Sequence, residues 1–324
     1  MFVRNAWYVA ALSRDIDRNP VNCRLLDEAL VLYRKQAGEV VALRDRCPHR
    51  HAPLSLGTLV GDEIQCRYHG FRFDCNGACT LIPGENAIPP AVSVQKFAVI
   101  EKHGFVWVWM AETSTADQAR IPQWHWLENP GFMSYYANFM VDAPFQMIVD
   151  NLMDLTHVHF VHRLLGAGNL VHESEPMKTW EERDEVIFRR DLKSPQTAKD
   201  GTYVEIRGHY FSPSIVVTSG VPMREGRVEM ESRPMSQVLH CLSPQAENRT
   251  RYFVLKCWNI LTKPHEVTAM HHQNDVTLAE DKEIIEAQFA SKLDDRSRAA
   301  EKLIRADRAA VMARRVYQRV LERE

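Results

Sequence analysis

The stretch CPHRHAPLSLGTLVGDEIQCRYHG, Cys47 to Gly70, decides the reading of the N-terminal part of the chain. It holds two compact pairs, Cys47-Pro48-His49 and Cys66-Arg67-Tyr68-His69, with sixteen residues between His49 and Cys66. Two thiolates and two imidazoles could hold a tetrahedral zinc ion, for which soft sulfur and borderline nitrogen are suited. The same four groups could hold a two-iron, two-sulfide cluster with both Cys on one iron and both His on the other. Neutral imidazoles in place of thiolates make such a cluster less negative and raise its potential. Zinc modules usually pair Cys with Cys and His with His. Here each pair is mixed and lies on its own loop, which favours the two-iron cluster.

The rest of the composition is that of an ordinary globular protein: 324 residues, 45% apolar and 25% charged. That length suggests two domains. A net charge of −2 leaves no basic footprint for nucleic acid. No apolar run approaches the length of a membrane span. The opening apolar run of MFVRNAWYVAAL is interrupted by Asn5 and Trp7, unlike a secretory signal, so the protein is expected in the cytoplasm. Cys23, Cys75, Cys79, Cys241 and Cys257 are scattered and read as ordinary thiols in a reduced compartment.

Residues 1–115 read as a small antiparallel β domain. Val31–Arg34 and Val40–Leu43 suggest a hairpin around Gly38, and the ligand loops are expected to grow out of such hairpins. Val92–Val99 and Gly104–Trp109 suggest two further strands, with Trp107 and Trp109 as core. Residues 113–128 read as a linker, and residues 116–324 as a second domain. There, β-prone segments at 186–188, 203–206, 215–217 and 251–258 suggest an antiparallel sheet. Residues 265–324 lack Gly and Pro and read as one or two long helices packed on that sheet. The predicted class is α+β.

The segment PFQMIVDNLMDLTHVHFVH, Pro144 to His162, places polar groups densely in an otherwise apolar helical stretch. Buried groups of that kind need partners. Asn151, Asp154 and His157 recur every three residues, followed by His159 and His162. On a regular helix His159 and His162 share a face, whereas His157 and His162, five apart, do not. Spacing alone therefore leaves the choice among the histidines open.

The Cys47–Gly70 stretch resembles the Rieske signature, C-x-H followed after about sixteen residues by C-x-x-H. Arg50, Pro53-Leu54-Ser55, Gly57, Tyr68 and the run Gly70-Phe71-Arg72-Phe73-Asp74 leading to Gly77 match as well. One departure is His51, where many relatives have Gly; it is given no ligand role. The second segment resembles the N-x-x-D-x-x-H-x-x-x-x-H stretch of Rieske non-haem iron oxygenases. The resemblance spans nearly the whole chain and points to aromatic O-demethylase oxygenases of the vanillate and dicamba type, chiefly through MFVRNAWYVAAL and DNLMDLTH.

The resemblance implies a 2Fe–2S cluster on Cys47, His49, Cys66 and His69, and a mononuclear Fe(II) on His157, His162 and Asp281. Glu280 and Asp275 are the competing carboxylates, and His159 is the fallback histidine. A helix break or π-bulge would bring His157 and His162 to one metal. Asp154 would bridge cluster and iron across a subunit boundary, hydrogen-bonding an iron-ligating imidazole, while Asn151 orients the site. His240, Trp258 and His272 fall where relatives contact substrate, with Trp258 read as a sheet residue. A homotrimer, O₂, an aromatic and carboxylated substrate, and a separate NAD(P)H-dependent reductase, directly or through a ferredoxin, are implied too. No dinucleotide loop or plant-type ferredoxin pattern occurs in the sequence. The rival readings are a Rieske ferredoxin-like electron carrier, which leaves some two hundred residues without a use, and a zinc-holding regulatory protein.

Overall fold

In the computed structural model, the described residues are 1–162, 177–192, 201–228, 235–259, 264–295 and 300–324. The chain forms two compact units. Met1–Gln123 with Ser243–Ala246 and Glu324 make the first, and Trp124–Leu242 with Glu247–Arg323 the second.

The first unit is built from short strands in three sheets. One joins β1 (Trp7–Leu12), β11 (Phe105–Trp109) and β10 (Val99–Lys102). A second runs β2 (Val21–Leu25), β3 (Glu28–Arg34), β4 (Val40–Arg44) and β9 (Lys96–Phe97). The third runs β5 (Thr58–Val60), β6 (Glu63–Gln65), β7 (Arg72–Phe73) and β8 (Cys79–Leu81). The β3–β4 hairpin turns at Gly38, which has a φ of 102° that an L side chain rarely adopts. β11 is buried along its whole length, Trp107 and Trp109 included, because its alternating Val and aromatic side chains are apolar on both faces. Val92–Val99 yields only the two-residue β9 and the start of β10. Of the two ligand loops, only Cys66–Gly70 lies in a hairpin, between β6 and β7. Cys47–His51 instead links two different sheets, following β4 and leading to β5.

The second unit carries a large sheet in the order β12 (Phe132–Val141), β19 (Arg249–Asn259), β18 (Ser236–Ala246), β16 (Ile215–Arg224), β15 (Thr202–Phe211), β14 (Glu185–Leu192), β13 (Lys178–Glu182). The two-residue β17 (Arg227–Val228) pairs with β16. Residues 113–128 contain three short 3₁₀ turns. The Gly- and Pro-free tail forms α3 (Pro264–Asp294) and α4 (Arg308–Leu321). Pro264 opens α3, where its missing N–H costs nothing.

The stretch expected as one helix near 145–163 is broken. α1 (Phe145–Met153) buries Phe145, Ile148, Val149, Leu152 and Met153 and stops at Asp154, whose backbone is extended (φ −131°, ψ 98°). The Asp154 carboxylate accepts the N–H of Thr156 at 3.0 Å and so starts a separate 3₁₀ turn over Leu155–His157. The short α2 (Val158–Val161) follows, and His162 is extended again. Antiparallel packing on α4 fixes α1: Phe145 meets Tyr317 edge to face, and Arg314 forks onto Asp150.

Candidate active site and metal centres

The two ligand loops of the first unit share one backbone design. The Cys47 N–H donates to Ala52 O and the His51 N–H to Cys47 O; equivalently, the Cys66 N–H donates to Phe71 O and the Gly70 N–H to Cys66 O. His51 and Gly70 therefore occupy matching corners, and both have positive φ, 59° and 74°. His51 thus stands in a left-handed corner that glycine fits without strain and histidine tolerates better than most residues. The first loop is anchored by buried Asp45, which accepts from Asn22 Nδ2, Ser55 N and Ser55 Oγ at 2.6–2.7 Å.

These loops place the four donors asymmetrically. Cys47 and Cys66 are 2% exposed and belong to the core with Val31, Leu54, Ile64 and Phe73. His49 and His69 are exposed, with ring centroids 4.6 Å apart, and His49 stacks on Phe71. Burial pushes the Cys47 thiol up to about 11, against the backbone N–H groups of His49 and Arg50 aimed at its sulfur; Cys66 beside it adds to the rise. Two neighbouring buried thiols are a poor resting place for protons and a good one for a metal, which takes them as thiolates. The donor set suits a two-iron cluster with a sulfur-ligated iron inside and an imidazole-ligated iron at the surface.

In the second unit, the break at Asp154 brings His157 and His162 to Asp281 of α3. Asp281 Oδ1 lies 3.4 Å from His157 Nε2 and 3.5 Å from His162 Nε2, and the three donor atoms lie within 4.8 Å of one another. His157 Nδ1 sits 2.8 Å from the Asp154 carbonyl oxygen, which can only accept, so the ring proton is on Nδ1. His162 Nδ1 faces Glu280 Oε2 at 3.2 Å with the same consequence. Both imidazoles therefore turn an Nε2 lone pair toward a carboxylate oxygen. Three acceptors converge, and only a cation among them makes the arrangement favourable. Spacings of 3.4–3.5 Å suit metal–ligand bonds of about 2.1 Å. Without a metal a proton takes that role: burial opposes charge on His157, but Asp281, with Asp154, outweighs it and raises its pKa.

The neighbours sort themselves around this triad. Asn151 Nδ2 is 3.4 Å from Asp281 Oδ1 and 3.5 Å from His157 Nε2. Glu280 backs His162 rather than facing the donors. Asp275 is held by the Tyr135 hydroxyl. The side chain of His159 lies outside the described residues. Asp154 reaches His157 through its carbonyl, not through the carboxylate as the helical spacing suggested, because the carboxylate caps the turn.

The triad forms part of the wall of a cavity of about 240 Å³ lined by apolar side chains of α1, α2, α3 and the sheet. His240 lines it too, but as a neutral group: Nε2 meets Thr218 Oγ1 at 2.9 Å, Nδ1 meets the Tyr252 hydroxyl at 2.6 Å, and burial pushes its pKa down to about 3. His272 is exposed on α3 and outside the lining. Trp258 is buried in β19, edge to face with His271, also outside it. Two lining residues that the sequence reading passed over are Lys256 and Asn274, joined by a 2.7 Å hydrogen bond from Nζ to Oδ1.

A two-Cys, two-His loop pair on one unit and a two-His, one-carboxylate triad in the wall of a mostly apolar cavity on the other define a class, the Rieske-type non-haem iron oxygenases. Comparison with known proteins agrees. Residues 6–98 match the Rieske [2Fe-2S] domain, and residues 141–323 match the vanillate O-demethylase oxygenase C-terminal domain. The dicamba O-demethylase oxygenase component of Stenotrophomonas maltophilia is 33% identical over 88% of each chain. A vanillate O-demethylase oxygenase subunit of a Pseudomonas strain is 30% identical over all of this chain and 96% of that one. A crystal structure of dicamba monooxygenase with non-haem iron and dicamba superposes with a TM-score of 0.84 at 28% identity, covering 99% of this chain and 98% of that one. The chain belongs to the vanillate O-demethylase family of Rieske oxygenases and is an oxygenase component with a 2Fe–2S cluster and a mononuclear iron.

Proposed function

We propose that the protein hydroxylates a single-ring aromatic acid and, where the attacked carbon is a methyl ether, removes the methyl group. The observation that carries this reading is the shared wall: His157, His162 and Asp281 line the same small cavity as Leu155, Ile206 and Val254. An apolar cavity of about 150 Å³ already admits benzene, so 240 Å³ accommodates one ring with small substituents. Iron held by the triad would supply O₂ activation, since two histidines and one carboxylate leave positions for O₂ beside substrate. Asn151 orients the triad, and the apolar lining excludes water from the ring. One oxygen atom enters a C–H bond and the other leaves as water, at the cost of two electrons and two protons. The hemiacetal formed from a methyl ether then collapses to a phenol and formaldehyde.

In this reading Cys47, His49, Cys66 and His69 hold the cluster, which relays electrons from a separate NAD(P)H-dependent reductase, directly or through a ferredoxin. The chain works in the cytoplasm as a homotrimer, with Asp154 meeting His69 of a neighbouring copy in a closed ring of heterologous contacts. Among the described residues no helix is long and apolar enough to cross a membrane. Formaldehyde release from a panel of methoxybenzoates, with a surrogate reductase, tests the activity. His157→Ala and His162→Ala should each lose the mononuclear iron and keep the cluster spectrum. Zinc in place of iron and sulfide, or no oxygenated product from any member of the panel, would sink the reading. Reassembling Cys66→Ser with His162→Ala protomers should recover activity; demonstrably mixed oligomers that stay inactive would count against the inter-subunit path.

A further inference from the structure

The cavity contains a charge that the metal triad does not use. Lys256 stands on β19 and lines the cavity, yet among the described residues no carboxylate lies within ion-pair distance of its ammonium. Its hydrogen bond to Asn274 Oδ1, at 2.7 Å, is to a neutral group. Burial, with no opposing charge, pushes its pKa down to about 8. An ammonium can only donate, so the contact also fixes the orientation of the amide: Oδ1 faces Lys256 and Nδ2 faces away. That Nδ2 is itself buried and has no hydrogen-bond partner among the described residues, on a side chain that is 8% exposed.

Two adjacent donor groups, one charged and one neutral, are thus left with unused N–H bonds in the wall of a mostly apolar cavity. A half-buried cation without a counter-charge and an unpaired buried amide both cost stability, and a single bound anion relieves both. The position suits a substrate. Asn274 and Asp281 are seven residues apart on α3, about two turns or roughly 10 Å along the axis and on nearly the same face. The donors and the metal triad therefore face one cavity from positions two turns apart, leaving the ring between them. His240, neutral with both nitrogens engaged, does not compete for the anion.

We propose that Lys256 and Asn274 form the acid-binding end of the substrate cavity, with the ammonium and the amide N–H groups gripping the two oxygens of an aromatic carboxylate. This rests on the reading that the cavity takes aromatic substrates and adds the group that selects among them. The test is equilibrium binding to the iron- and cluster-loaded protein by calorimetry, using benzoate and its neutral isostere benzamide. It needs no turnover, so a failure of the demethylation reading leaves it readable.

A charged hydrogen bond of this kind corresponds to roughly 10- to 150-fold in affinity. The wild type should prefer benzoate by at least about tenfold, and Lys256→Met should erase the preference while leaving benzamide binding in place. Asn274→Ala should weaken benzoate by a smaller factor. Lys256→Met should also melt at a higher temperature than the ligand-free wild type, because it removes a half-buried cation without a counter-charge; a lysine with a merely structural role would lower it. Equal binding of the two probes, binding of neither, or a preference that survives in Lys256→Met would overturn the assignment.

Discussion

Consecutive residues of α3 bracket one imidazole, and removing the outer one should loosen the metal without touching a ligand. His162 is 3% exposed, with Nδ1 3.2 Å from Glu280 Oε2 and Nε2 3.5 Å from Asp281 Oδ1. The Glu280 carboxylate holds the ring proton on Nδ1 and keeps the Nε2 lone pair aimed at the triad. Glu280→Ala leaves a buried N–H without that acceptor, a loss of about 1–3 kcal/mol. Truncating such a partner typically costs 10- to 100-fold in metal affinity, or about 1.4–2.7 kcal/mol, so the two routes agree. Glu280→Gln keeps an acceptor oxygen and loses only the charge, so its effect should be the smaller. The assay is retention of Fe(II) against a graded chelator, with the visible absorbance of the cluster as internal reference and Asp281→Ala as the iron-free limit. Iron affinity within twofold of wild type in Glu280→Ala would refute the reasoning, as would parallel loss of cluster and iron.

Three further outcomes are expected. Gly77 has a φ of 82° and its added Cβ would lie 1.9 Å from the Val94 carbonyl oxygen, so Gly77→Ala should lower the melting temperature of the protein markedly. Gly61→Ala, with a φ of 62° and nothing within 4 Å, should cost only about 1 kcal/mol. Asp154→Asn keeps an oxygen for the Thr156 N–H and leaves the carbonyl bond to His157 in place. Metal analysis should find both iron sites filled, while stopped-flow oxidation of the reduced cluster slows severely; loss of iron would assign Asp154 to structure alone. Lys256, pushed from 10.5 to about 8, loses its charge as pH rises through 8, so benzoate binding should weaken there. The sign for stability is opposite: the unfolded chain holds that proton up to 10.5 and the folded one does not, so ligand-free stability gains a rising contribution between those values. Denaturant titrations across that window, compared with Lys256→Met, isolate it.

The cluster loops were legible because two Cys and two His lie in one contiguous stretch with the types and spacing that a cluster requires. The sheets and the two C-terminal helices followed from alternation and from the lack of Gly and Pro. His157 and His162 were not legible from period, because helical phase holds only while the helix lasts. The chain leaves it at Asp154, where an acidic side chain caps a new turn instead of continuing the old one. That break is a local competition between side-chain and backbone acceptors, which leaves little trace in an apolar pattern. The first ligand loop was misplaced in a hairpin for a similar reason: its fold is dictated by Asp45 and by the loop's own backbone bonds rather than by flanking strands.

The acid-binding pair shows where period does reach the chemistry. Along β19, side chains alternate, so Tyr252, Val254 and Lys256 share a face, and all three line the cavity. The intervening Phe253, Leu255 and Cys257 are buried, so Lys256 is a half-buried cation on a strand whose neighbouring positions are apolar. On α3, seven residues from Asn274 to Asp281 amount to nearly two whole turns, while nine from His272 amount to two and a half, roughly 180° away. Once Asp281 is fixed at the triad, helical phase turns Asn274 inward and His272 to solvent, as their burial bears out. Residue type points to His272, which lies outside the cavity lining, whereas phase from Asp281 points to Asn274, which lies in it. The cavity-facing positions of α3 are therefore readable from sequence only after Asp281 has set the phase of the helix.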